Sequence, residues 1–387
     1  MHPTEMDATS RVGEEFRVDL RPLGAGTPGS GNAAARRILG ADELASLTRL
    51  DDGRSAGGVL LTFTVIGSAV AFGVWAWPSP WIAISVLVIG VQQHALFILA
   101  HESAHYRLFA NRAVNDAVGR FVGMASAISM CTYRVIHRLH HNNLFTEEDP
   151  DTAIHGGYPR GVAYLWKKLA EDALGLNAWK TFAYFFGAPA INDTTNRAAT
   201  EPPRSLRSLP PGGAAPGLGR PGAQRPLDET SPQLRAAARA DRWFVVAFQL
   251  ALPLAAFAFG GWHGVALYAV FWLLPMLTVL QPILRLRAIC EHGATTDFSS
   301  PLTAARTNRT WGSFANLLGR AALFPHHVNY HLEHHLYPAV PHYHLPRLHR
   351  LLTEKGALQG AEVRDLSDTL ALIFAPRAAR SHQAEFT

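Results

Sequence analysis

The stretch Asn329-Tyr330-His331-Leu332-Glu333-His334-His335-Leu336-Tyr337-Pro338 places an H-x-x-H-H cluster late in a chain of 387 residues. Two related clusters lie far upstream, His101-Glu102-Ser103-Ala104-His105 and His137-Arg138-Leu139-His140-His141. These windows are 15 of 387 positions yet hold 8 of the 19 histidines. On a helix, residues i and i+3 or i+4 leave from one face, so the histidines of each cluster can aim at a common centre. One such pair says little, since a lone histidine on a helix is ordinarily a surface or core residue. Three clusters brought together read as metal ligands. A tetrahedral ion takes four, so eight imidazoles imply two ions. Ligand type alone leaves Fe, Zn, Cu and Ni open.

Whether the clusters meet depends on the chain between them. Hydrophobic residues make up 48% of the sequence and charged ones only 17%, a balance that points to a membrane. A hydrocarbon core about 30 Å thick takes roughly 20 helical residues. Segments 57–77, 81–100, 243–260 and 264–284 qualify. The short connections Trp77-Pro78-Ser79-Pro80-Trp81 and Gly260-Gly261-Trp262-His263 carry no Lys or Arg, so the positive-inside rule puts both termini and all three clusters in the cytoplasm. Trp75, Trp77, Trp81 and Trp262 suit an interfacial belt. Only 31 residues separate His105 from His137, too few for two further spans, which keeps the first two clusters on one side. The fold expected is an all-α membrane protein: four transmembrane helices in two hairpins, with a cytosolic helical cap carrying a di-metal site.

The net charge of +5 fits contact with anionic lipid headgroups and gives no reason to invoke nucleic acid. Cys131 and Cys290 are the only cysteines, too few for a disulfide framework or a thiolate site. Residues 1–38 read as a flexible tail, with no apolar core of a cleavable signal. Leu44, Leu47 and Leu50 give residues 41–50 the spacing of a short amphipathic helix. Gln92, Gln93 and His94 are polar at membrane depth, where such residues face a bundle interior or cavity. His94 shares a helix face with His101 and reads either as lining a substrate tunnel or supporting the site, or as an interhelical hydrogen bond. The apolar piece Phe121 to Met130 is too short to span and reads as interfacial or re-entrant, and the aromatic, Lys-bearing stretch 161–189 as a helix in the interface. In 202–226, 12 of 25 residues are Pro or Gly, which forbids regular structure. The main domain is drawn over 39–355, with a cytosolic tail from 356 to 387.

Two competing readings arise from the clusters. His101-Glu102-x-x-His105 is literally the zinc metalloprotease motif, with Glu102 as general base. It leaves the six histidines of the other clusters unexplained, and Glu102 reads better as a carboxylate that orients a ligand imidazole. A metal transporter would bind near the bilayer midplane on broken helices, whereas these clusters fall at the cytoplasmic ends.

In order and in spacing, H-x-x-x-H, H-x-x-H-H and H-x-x-H-H interleaved with two membrane hairpins resemble the membrane-bound fatty acid desaturase family. The run His331 to Pro338 followed by Val340-Pro341 is similar to the family's third box, and Glu148-Asp149-Pro150-Asp151 to the segment just after the second box. The resemblance implies a non-haem centre of two Fe ions that activates O2 and removes hydrogen from an unactivated carbon of an acyl chain in a lipid. Its metal ligands would be His101, His105, His137, His140, His141, His331, His334 and His335, with His292 after the last membrane helix as a ninth. Hydroxylation or ketolation of a lipid, carotenoid or sphingoid base shares the scaffold and remains an alternative outcome. No His-Pro-Gly-Gly haem element is present, and two cysteines cannot hold an iron–sulfur cluster, so a separate ferredoxin-type donor with its reductase is implied. A bacterial inner membrane is the expected location. The Pro/Gly-rich insert, Asn142 and Asn143, and His331 where front-end desaturases carry glutamine, depart from parts of the family.

Overall fold

The computed structural model describes residues 38–142, 144–145, 149–187, 232–295 and 300–376. The Pro/Gly-rich insert, Asn143, Glu148 and nearly all of the amino-terminal tail lie outside the described residues. The described part is mostly helical. A short helix α1 (Ala41–Thr48) leads into α2 (Asp52–Trp75), which starts where the Asp51 carboxylate accepts the Arg54 amide at 3.0 Å. Pro78 and Pro80 turn the chain, and α3 (Ile82–Ala104) returns. Then come α4 (Arg112–Ala125), α5 (Met130–Asn142), α6 (Val162–Ala173) and α7 (Ala178–Phe185). The interfacial piece expected near 121–130 is therefore the end of α4, a turn and the start of α5, and the stretch 161–189 is two short helices.

Helix α8 (Pro232–Tyr268) is followed by a π turn at Ala269–Leu273, then α9 (Leu274–Thr278) and α10 (Leu280–His292). Three stretches are long and apolar enough to cross a membrane: Ala41–Trp75, Ile82–Ala104 and Arg235–His292. The last is not one rod. Gly261 has φ +56°, and a Cβ on Gly264 would land on the Ala256 carbonyl oxygen. Residues eight apart in a straight helix are about 12 Å apart along the axis, so this approach means that the chain doubles back at Gly261. Trp75, Trp81 and Trp262 are exposed at the two hairpin tips.

Small residues let these helices close on one another, as packing without a hydrophobic drive between helices requires. Gly73 of α2 faces Phe271 and Ser85, and Gly90 of α3 faces Val279. The π turn frees backbone groups, and the Trp272 carbonyl there accepts the buried Gln93 side-chain amide at 2.9 Å.

The carboxyl-terminal part adds α11 (Phe314–Leu323), α12 (His331–Leu336), α13 (Leu345–Glu354) and α14 (Leu366–Ile373). A two-stranded parallel sheet departs from the all-α expectation: β1 (Thr307–Arg309) pairs with β2 (Val363–Asp365), in register Thr307 to Val363. Residues 363–373, assigned by sequence to a tail, are thereby tied to the body, with Leu366 and Ile373 fully buried. The sheet also anchors Arg306. This guanidinium is buried, pairs with Glu362 at 3.0 Å, and donates to the carbonyls of Cys290, Gly293 and Ala294 at the end of α10. The first two are among the carbonyls that a helix end leaves without intrahelical partners, so Arg306 fixes the point where α10 stops, beside His292.

Candidate metal centre

Four helices deliver histidines to one place: His101 on α3 with His105 just past its end, His137, His140 and His141 on α5, His292 at the end of α10, and the late cluster on α12. They sort into two groups whose ligand atoms lie within 4.8 Å of one another. One holds His101, His105, His137, His141 and His334, the other His140, His292, His331 and His335. All nine sequence-designated histidines are thus brought together. Helical geometry explains the sorting. Residues i and i+4 are about 40° apart around the axis, while neighbours are about 100° apart. His137 and His141 therefore share a centre and His140 diverges to the other. On α12 the assignment is mirrored, with His331 and His335 together and His334 crossing over.

The ring nitrogens converge at ligand spacing. Nε2 atoms are 3.0 Å apart for His137–His141 and His141–His334, 2.8 Å for His292–His331 and 3.1 Å for His331–His335. Two nitrogens bound at right angles to one ion at about 2.1 Å would lie about 3 Å apart. The opposite ring nitrogens point outward to acceptors. His101 Nδ1 donates to Glu102 at 3.2 Å, His140 Nδ1 to Asp149 at 2.9 Å, and His292 Nδ1 to the Ala304 carbonyl at 3.0 Å. A proton held on Nδ1 leaves the Nε2 lone pair for a cation. The Nε2 atoms of His101 and His105 are buried with no partner, which is costly unless something positive sits before them.

Burial first, and neighbouring imidazoles second, hold His137, His141, His331, His334 and His335 well below the usual histidine range. These rings stay neutral, the form that binds metal. His140 differs: burial would lower it, but Asp149 and then Asp151 overcome burial and raise it to about 9. The space between His140 and His292, whose Nε2 atoms are 3.2 Å apart, favours a positive charge. The donor set fits two metal ions, and a group of buried histidines this dense has no other evident way to satisfy its lone pairs.

The chain matches the fatty acid desaturase family over residues 75–367. The chain belongs to that family. A protein of Bradyrhizobium elkanii named dihydrorhizobitoxine desaturase is 27% identical over 282 residues, covering 69% of this chain and 65% of its own length. The chain thus spans less than two thirds of that relative. Within that family membership, the two histidine groups are where this chain could hold metal.

The supporting residues separate into those the sequence singles out and those it does not. Glu102 lies buried between His101 and the His342 backbone amide, which donates to its other oxygen at 2.9 Å. His94, two turns earlier on α3, donates from Nδ1 to the Ala322 carbonyl at 3.1 Å and belongs to neither group. It joins α3 to α11 as an interhelical hydrogen bond. Asp149 stands in the sequence only as part of an acidic run, and its hold on His140 depends on a turn that spacing does not reveal. His155, on the four-residue helix Thr152–His155, carries no sequence signal because no second histidine stands at helical spacing from it. It is buried against the His292 ring, with centroids 4.8 Å apart, and its Nε2 lies 3.9 Å from Asp149.

Proposed function

We propose that this desaturase-family chain is an O2-dependent di-iron enzyme that introduces a double bond into an acyl chain. The observation that carries the reading is the division of nine imidazoles, eight of them buried, into two groups at ligand spacing. A saturated C–H bond offers no handle for acid–base attack, so a redox metal must supply the hydrogen abstraction, which zinc cannot do. The protein's own residues hold the Nε2 lone pairs inward through Glu102, Asp149 and the Ala304 carbonyl, and exclude bulk water by burial. Forming a double bond releases one pair of electrons, whereas reducing O2 to water consumes two pairs. A separate donor of the ferredoxin type, with its reductase, supplies the difference.

The chain reads as a four-span protein of a bacterial inner membrane, with both histidine groups on the cytosolic side. The reversal at Gly261 and the Lys- and Arg-free hairpin tips support this topology. The decisive experiment is mass spectrometry of lipid and water-soluble extracts from cells expressing the protein or its His334→Ala variant, beside iron analysis of both. Loss of two hydrogens from an acyl group only with the intact protein, and two irons per chain, is the expected result. A single zinc per chain, or an added oxygen in the product, would overturn it.

A further inference from the structure

A cavity of about 170 Å³ opens beside the four-histidine group, with His137, His140, His292 and His331 in its wall. Ile136, Ile154, Leu284 and Ala288 give it an apolar part next to those rings. Phe97 of α3 and Phe185 of α7 close one side, meeting edge to face with centroids 5.2 Å apart. Phe97 is itself buried in the apolar cluster with Met276 and Leu280, so on this side the cavity ends against packed core. Sites for drug-sized ligands run to about 300–1,000 Å³ and are mainly apolar. This one is smaller, and 7 of its 23 lining residues are charged. A long acyl chain needs more room than about 170 Å³ gives.

The charges are not evenly satisfied. Asp172 is held by Arg285, with a second contact at 3.1 Å, and Glu291 by Arg287 at 2.8 Å. Asp151 accepts the Tyr184 hydroxyl and lies 3.6 Å from His140 Nδ1. Lys168 pairs with Glu171 at 3.0 Å. Among the described residues, Lys180 is the cation of the lining without an ion pair, its ammonium 5.8 Å from the centre of the Trp179 ring. Asp172 and Glu291 have arginine partners, Asp151 has the Tyr184 hydroxyl and His140, and Lys180 has no acid among the described residues.

We propose that the cavity takes a short-chain carboxylate from the aqueous phase, its head against Lys180 and its aliphatic end beside the four-histidine group, and not the acyl chain of a membrane lipid. The proposal rests on the desaturase reading for the reaction, but its test is of binding. Full-length protein in nanodiscs, analysed for iron, would be dialysed against radiolabelled hexanoate, with and without palmitate, as wild type, Lys180→Met and Lys167→Met. Lys167 is exposed and lies outside the lining. Saturable hexanoate binding that palmitate does not displace, weakened roughly tenfold by Lys180→Met and unchanged by Lys167→Met, is expected. Absence of hexanoate binding, displacement by palmitate, or indifference to Lys180→Met would each overturn the proposal. Protein that binds hexanoate but no iron would sink the di-iron reading alone; iron-replete protein that ignores hexanoate would sink this one alone.

Discussion

The five-histidine and four-histidine groups are built from the same clusters yet differ in what surrounds them. Only His137 of the first group reaches the cavity, whereas His140, His292 and His331 of the second line it. The second group also has more carboxylate around it, with Asp149 on His140 and Glu291 3.6 Å from His331, while the first has Glu102 on His101. Closed ligand sets characterise structural metals and open positions catalytic ones. On the proposed reading the difference would give the two sites different work, the four-histidine site facing the substrate and the five-histidine site supporting it from behind.

The largest effect is expected from removing a ligand. His140→Ala should reduce turnover to background and lower iron from two per chain to one, measured by metal analysis beside product formation. His334→Ala should also abolish turnover but retain more iron, because four imidazoles remain in its group. Equal iron loss in both variants would erase the distinction. Next comes Asp149→Asn, which keeps the shape but weakens the hold on His140; a drop of about 10–100-fold in metal affinity or activity is expected, read by iron titration of stripped protein. Glu102→Gln should cost less, about tenfold, since its oxygens are shared with the His342 amide; a larger loss than from Asp149→Asn would reverse the ranking of the groups. Smallest is His94→Leu. It should destabilise the protein by about 1 kcal/mol in thermal unfolding and leave the iron content unchanged, because its partner is the Ala322 carbonyl.

The clustering of the histidines was legible because its code is local. Spacings of three and four on a helix fix which rings share a face, and those spacings can be read directly at His101, His137 and His331. The division into two groups was not legible, since it depends on how α3, α5, α10 and α12 are turned toward one another. The first hairpin was visible in its apolar lengths and prolines, and the second break in Gly260-Gly261. Strands β1 and β2 escaped because three-residue strands carry no usable alternation, and their pairing joins segments more than 50 residues apart. The roles of Asp149, Asp151 and His155 had the same handicap, since these residues lie in a turn and the four-residue helix after it, where contact rather than period decides the role.

Synthesis runs from one end, and the metal centre does not. His101 emerges 234 residues before His335, an interval of roughly ten to fifty seconds at about 5–20 residues per second. The strand that clamps the region around Arg306 is later still, at Val363–Asp365. During that delay the first two clusters exist at the membrane without the third. By then the five-histidine group already has four of its imidazoles, His101, His105, His137 and His141, whereas the four-histidine group has only His140 and, later, His292. On the proposed reading the two sites would therefore load in order, the five-histidine site able to take an ion before the chain is finished and the four-histidine site only after it.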